Sequence, residues 1–180
     1  MTSVVNNTIN FHLALIGQEP YLTIVNMLLK EIDFNAKNAE GNTAMHLAVI
    51  HKADCSRISQ LLAGFQALGG DLNQKNKKGN TPLHLAVSAG NIKMTRILHE
   101  LGADLNLKNK KGNTPLHLAA SAGDINMTMI LHELGADLNM VNKEGKTPLT
   151  LAMEKCTEEE LQSLTICQRS DDFAKAASEN

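Results

Sequence analysis

Aromatic side chains are nearly missing from this chain of 180 residues, which has no tryptophan, one tyrosine and four phenylalanines. A core must therefore be aliphatic, and the aromatic platforms on which single-stranded nucleic acid stacks are lacking, leaving only phosphate contacts for such a ligand. Cysteine is equally scarce. Cys55, Cys156 and Cys167 are odd in number and contain no C-x-x-C pair, so neither a disulfide framework nor a zinc knuckle is expected and the thiols read as reduced. Long apolar runs are missing too. The stretches at 13–16 and 24–29 fall far short of the roughly 18 residues of a membrane span, and a soluble chain is expected. The opening MTSVVNNTINFHLALIG has no basic region and interrupts its apolar stretch with Asn and His. It does not read as a secretory signal, which points to the cytoplasm. The net charge of −2 is too small for wholesale attraction to nucleic acid or an anionic membrane.

Catalytic signatures are absent as well. The chain has no G-x-G-x-x-G, no G-x-x-x-x-G-K-[ST], no H-E-x-x-H and no G-x-S-x-G. KKGNTPLHLA places Lys and Gly ahead of a helix, but in the wrong order and spacing for a phosphate loop. Neither enzymatic activity nor a cofactor is expected.

What the chain does have is repetition. The segment from Asp71, DLNQKNKKGNTPLHLAVSAGNIKMTRILHELGA, returns 33 residues later from Asp104 with only five positions changed. The changes are Gln74/Leu107, Val87/Ala120, Asn91/Asp124, Lys93/Asn126 and Arg96/Met129. A further copy begins at Asp137, and an earlier one at Asp33 reaches the next start after 38 residues, a five-residue insertion. Within one unit, Thr81 is an N-cap candidate and Pro82 sits at the first helical position, where its missing N–H costs nothing. Leu83, Leu85, Ala86 and Val87 form an apolar face, and Gly90 can end the helix. A second helix is predicted from near Asn91, with Ile92, Met94, Ile97, Leu98 and Leu101 at the helical period and Gly102 ending it. Residues 104–113 then supply a polar turn in which Gly112 is free to adopt positive φ. One helix pair of this size cannot bury its own apolar face, so the units must stack into an elongated array.

The recurring TPLHLA, the closing LGAD and the 33-residue step resemble the ankyrin repeat family over roughly residues 10 to 165. The resemblance implies an all-α solenoid of helix-turn-helix units with projecting turns, or fingers. A single ankyrin-repeat domain would fill 1–180, with cap helices at 1–32, repeats at 33–70, 71–103 and 104–136, a C-terminal repeat at 137–169 and a tail or short cap helix at 170–180. Three departures stand out. His99 and His132 occupy a place where the family usually has Leu, and Thr95 and Thr128 one where it usually has Val. Ala44 replaces the expected Pro beside the longer HKADCSR connection, so the unit from Asp33 is expected to fray first. His46, His84 and His117 recur at equivalent positions. Stacked helices lie about 8–10 Å apart, too far for these rings to share a zinc ion at about 2 Å, and no metal site is expected. The resemblance implies instead that this histidine ties neighbouring turns together by hydrogen bonds.

Charge is unevenly spread. The turns at 35–43, 73–81, 106–114 and 139–147 hold nine lysines against Glu40 and Glu144, a net +7 that leaves −9 on the rest of the chain. Such a lysine ladder would attract an acidic partner, and lysines at loop tips also serve solubility. The family binds protein partners through its fingers and the inner face of each first helix. Carried over, that surface comprises Lys75, Lys77, Lys78, Asn80, Ser88 and Ala89, then Lys108, Lys110, Lys111, Asn113, Ser121 and Ala122. The outer units add Lys37, Glu40, Asn42, Ile50 and His51 at one end, and Lys143, Glu144, Lys146 and Glu154 at the other. A monomeric protein–protein interaction module follows, with a passive scaffold as the alternative. Short Lys- and Asn-rich proteins of this family are similar to host-directed effectors of intracellular bacteria, and the glutamates at 158–160 resemble acidic secretion signals, which would place the chain in a host cytosol. Asn106 and Asn139, with Leu98, Asp104 and Leu105 or Leu131, Asp137 and Leu138 before them, resemble sites of asparaginyl hydroxylation in ankyrin repeats of animal cells.

Overall fold

The computed structural model describes residues 35–51 and 70–155. The cap helices expected at 1–32, the insertion after His51, the tail at 170–180 and all three cysteines lie outside the described residues. Six helices follow in order: α1 (Ala44–Ile50), α2 (Pro82–Ser88), α3 (Ile92–Glu100), α4 (Pro115–Ala122), α5 (Ile125–Glu133) and α6 (Pro148–Met153). The described residues contain no strand.

Every first helix starts on a threonine in extended conformation, at Thr43, Thr81, Thr114 and Thr147. In α2 the Thr81 hydroxyl accepts the N–H of His84, and the His84 Nδ1 accepts the N–H of Thr81 at 3.2 Å. Two of the donors that a helix start leaves without a partner are thus satisfied reciprocally, with imidazole in the place usually taken by Glu or Gln. Thr114 with His117, and the N–H of Thr43 with His46, repeat the device. This is why α1 begins on schedule although Ala44 replaces proline. The second helices take Asn91 and Asp124 as caps, each accepting from the N–H three residues on, at 3.0 and 2.9 Å. The Asn91/Asp124 difference between the two units is therefore one good cap for another. Gly90 and Gly102 have φ of 64° and 87°, as the predicted helix ends require.

The core is aliphatic. Met45, Leu83, Met94, Leu98, Leu116, Met127 and Leu131 are its largest fully buried apolar side chains. The first helices α1, α2, α4 and α6 stack in sequence, while α3 packs on α2 and α5 on α4. Thr95 and Thr128, at the place of the family's usual Val, are buried with their hydroxyls donating to the carbonyls of Asn91 and Asp124 at 3.0 and 2.7 Å. A hydroxyl satisfied within its own helix removes the cost of burying it. His99 and His132 are only half-buried, at the margin of this layer.

Because each unit touches only its neighbours, protection should follow position. Amide hydrogen exchange is expected to be slowest in the helices of 71–136 and faster in α1, whose unit carries the insertion. Equal protection factors in α1 and α4 would contradict this.

Candidate finger edge

The fingers are the polar part of the molecule, and an asparagine organises each one. In the finger of 104–114, Asn109 Oδ1 accepts the N–H groups of Lys111 and Asn113 at 2.9 and 3.1 Å, while the Asn109 carbonyl accepts from Gly112 at 2.9 Å. Asn38, Asn76 and Asn142 do the same in the other three. The side chain stands in for a backbone turn and consumes the amide donors of the tip. No nest of free N–H groups is left there for a phosphate.

Five hydrogen bonds then join the 71–103 unit to the next. His84 Nε2 donates to the Asn113 carbonyl at 3.0 Å, and Asn109 Nδ2 to Asn80 Oδ1 at 2.9 Å. The N–H of Asp104 donates to Asn73 Oδ1 at 2.9 Å, and Lys75 Nζ to the Lys108 carbonyl at 2.8 Å. The fifth is the N–H of Lys110 to the Lys78 carbonyl at 3.2 Å. All five recur at the following junction, through His117 to Lys146, Asn142 to Asn113, Asp137 to Asn106, Lys108 to Val141 and Lys143 to Lys111. They recur at the preceding one through His46, Asn76, Asp71, Lys37 and Lys77. Gly79 and Gly112 permit the contact: a Cβ at either would sit 2.6 Å from the backbone nitrogen of the next finger.

The histidines therefore tie turns together, each within hydrogen-bond reach of a carbonyl in the next unit. Because Nδ1 already faces the N–H of its own threonine, the ring is neutral with its proton on Nε2. Burial, outweighing the bond to the Asn113 carbonyl, pushes His84 down to about 4, and lowers His46 and His117 in the same sense. Among the described residues no group of three or more His, Cys, Asp and Glu could hold a metal ion.

The surface residues expected from sequence divide into two sets. Lys75, Lys108, Asn80 and Asn113 spend their side chains on the neighbouring finger. Lys146 pairs with Glu154 at 2.7 Å, and the hydrogen bond to that carboxylate raises it above the ordinary lysine range. By contrast Lys77, Lys78, Lys110, Lys111 and Lys143 are exposed, and their ammonium groups bond to no described residue. Ser88, Ala89, Ser121 and Ala122 are exposed at the ends of α2 and α4. Asn106 is half-buried with its Oδ1 on the N–H of Asp137, and Asn139 is exposed. Sequence reasoning missed the central asparagines Asn76, Asn109 and Asn142. The signal available was the recurrence of an asparagine three residues before each finger glycine, in a turn where any polar residue would serve solubility.

Among the described residues no helix is long and apolar enough to cross a membrane. No curated protein matches the chain. A family model for ankyrin repeats in three copies matches residues 11–109, and one for ankyrin repeats in many copies matches residues 100–152. Together with the stacked helix pairs and the histidine-linked fingers, these matches show that the chain belongs to the ankyrin repeat family.

Proposed function

We propose that this chain, as ankyrin repeats generally do, binds a partner protein, that it does so through the finger edge and the adjoining first-helix ends, and that the surface it recognises is acidic. The observation that carries this reading is the division of the lysines. Lys75 and Lys108 keep their charge but hold their ammonium groups on carbonyls of the next finger, while Lys77, Lys78, Lys110, Lys111 and Lys143 project from the tips with no bond to a described residue. Ser88, Ala89, Ser121 and Ala122 contribute small side chains beside them, so a partner can approach closely. Replacing Lys77, Lys78, Lys110 and Lys111 with Glu should lower the association rate by about tenfold or more and remove most of its salt dependence, while leaving the folded state intact. The partner is first captured from lysate, then measured by stopped flow with both proteins. An unchanged rate would return these lysines to a role in solubility.

Asn106 and Asn139 are proposed as hydroxylation sites for the case in which the protein meets an animal cytosol. The backbone N–H of each donates to Asp104 or Asp137 at 2.8 Å, which puts a carboxylate within reach of an added hydroxyl. A bond of that kind contributes about 1 kcal/mol. Mass spectrometry after incubation with the hydroxylase should show one added oxygen at each Asn. None at either, beside a modified control ankyrin, would dismiss the sites.

A further inference from the structure

The lysine edge has two ends, and each is closed by a glutamate. The backbone bonds between fingers set the order of residues along it. The N–H of Lys77 donates to the Glu40 carbonyl at 3.0 Å, that of Lys110 to Lys78 at 3.2 Å, and that of Lys143 to Lys111 at 3.1 Å. The tips therefore follow one another as Glu40, Lys77, Lys78, Lys110, Lys111, Lys143 and Glu144, with five positive charges between two negative ones. Glu40 and Glu144 are both exposed. Beside the tips, Lys37, Lys75 and Lys108 keep their charge but are tied along the flank to backbone carbonyls at 3.0, 2.8 and 2.7 Å, and Lys146 is paired with Glu154.

Resting on the acidic-partner reading, we propose that the partner is a short acidic segment lying extended along this edge, and that Glu40 and Glu144 are specificity residues that limit its length. Each unit advances the edge by about 10 Å, the spacing of stacked helices, so Lys77 to Lys143 covers about 20 Å. An extended chain rises about 3.3 Å per residue, which makes the acidic block about six residues long. A carboxylate beyond either end meets a like charge, whereas a basic residue there meets an opposite one. Specificity of this kind comes from the repulsive ends as much as from the attractive middle. The same ends disfavour nucleic acid, whose uniform phosphates would run past both glutamates, and the described residues contain no aromatic side chain to stack a base.

Two fluorescent decapeptides test this on the full chain by anisotropy at low salt. One carries six glutamates between two pairs of lysines, and the other is all glutamate. Bulk attraction alone would favour the second, which has the larger negative charge. The lysine-flanked peptide is expected to bind about tenfold tighter. In the Glu40→Lys, Glu144→Lys double variant the order should reverse. Tighter binding of all-glutamate to the unaltered protein, or an order unchanged in the double variant, would overturn the length limit while leaving the acidic-partner reading in place. Failure of both peptides to bind would remove both. An oligothymidylate of ten nucleotides that binds as tightly as the flanked peptide would assign the edge to nucleic acid instead.

Discussion

Gly112→Ala is expected to destabilise the protein by about 3 kcal/mol, whereas Gly145→Ala, at nearly the same φ, should cost about 1 kcal/mol. The two glycines have φ of 79° and 72°, so both substitutions incur the strain of a side chain in left-handed backbone. They differ in what lies beyond. At Gly145 a Cβ meets no atom of the described residues within 4 Å, but at Gly112 it would lie 2.6 Å from the Lys143 nitrogen and 3.1 Å from the Asn142 carbonyl carbon. Backbone cannot turn aside as a flexible side chain can, so the finger of 137–147 must move away. That motion stretches the Lys143 to Lys111 bond at 3.1 Å, the Asn142 to Asn113 bond at 2.8 Å and the His117 to Lys146 bond at 3.1 Å. Each is worth about 1 kcal/mol when made, and more when a buried partner is left without one. Gly79→Ala should match Gly112→Ala, since its Cβ would lie 2.6 Å from the Lys110 nitrogen. Urea melts followed by circular dichroism give the comparison. Equal midpoints for Gly112→Ala and Gly145→Ala would mean that the fingers do not hold the units together.

Acidification from pH 7.5 to pH 5 should cost about 2 kcal/mol through His84 alone. An unfolded histidine takes up its proton near pH 6.5, while folded His84 resists protonation until about 4. Between those values the unfolded chain binds more protons, so stability rises with pH. The loss is absent above pH 7, grows as pH falls through 6.5 and levels off below 4. His46 and His117 are lowered too and act in the same direction. Burial is the first reason the proton is refused. Nε2 already donates to the Asn113 carbonyl, and a second proton on Nδ1 would displace the Thr81 N–H at 3.2 Å and leave only the Thr81 Oγ1, 2.8 Å away, to accept it. Most of this window lies above the range in which carboxylates titrate, so the histidines dominate it. Urea midpoints at pH 7.5, 6 and 5 should fall steadily, and His84→Gln, although less stable at pH 7.5, should show a shallower fall. A flat profile would mean that the rings are protonated in place.

Helix starts at Thr81 and Thr114, the glycine ends, the second helices and the aliphatic core could all be read from residue order. Each depends on neighbours within a turn or so of helix, and a 33-residue period repeats the evidence. The finger edge was legible only in part. Nothing in residue order separates Lys75 from Lys77: both are lysines in a polar turn, two positions apart. Both are exposed, but the Lys75 ammonium is bonded to a carbonyl of the next finger and that of Lys77 to no described residue, because Lys75 lies on the flank that faces the next finger. Asn80 and Asn113 likewise read as partner contacts and are found holding the asparagines of the next unit.

The sequence by itself determined where the helices begin and end, which faces they bury, that the units must stack, and that the turns carry the positive charge. These follow from short-range rules of capping, periodicity and glycine conformation. Tertiary structure alone decided which polar groups the stack consumes and which it leaves to a partner. The bonds that make that division join residues 29 to 38 positions apart, and they form only once the apolar faces of successive units have been pressed together.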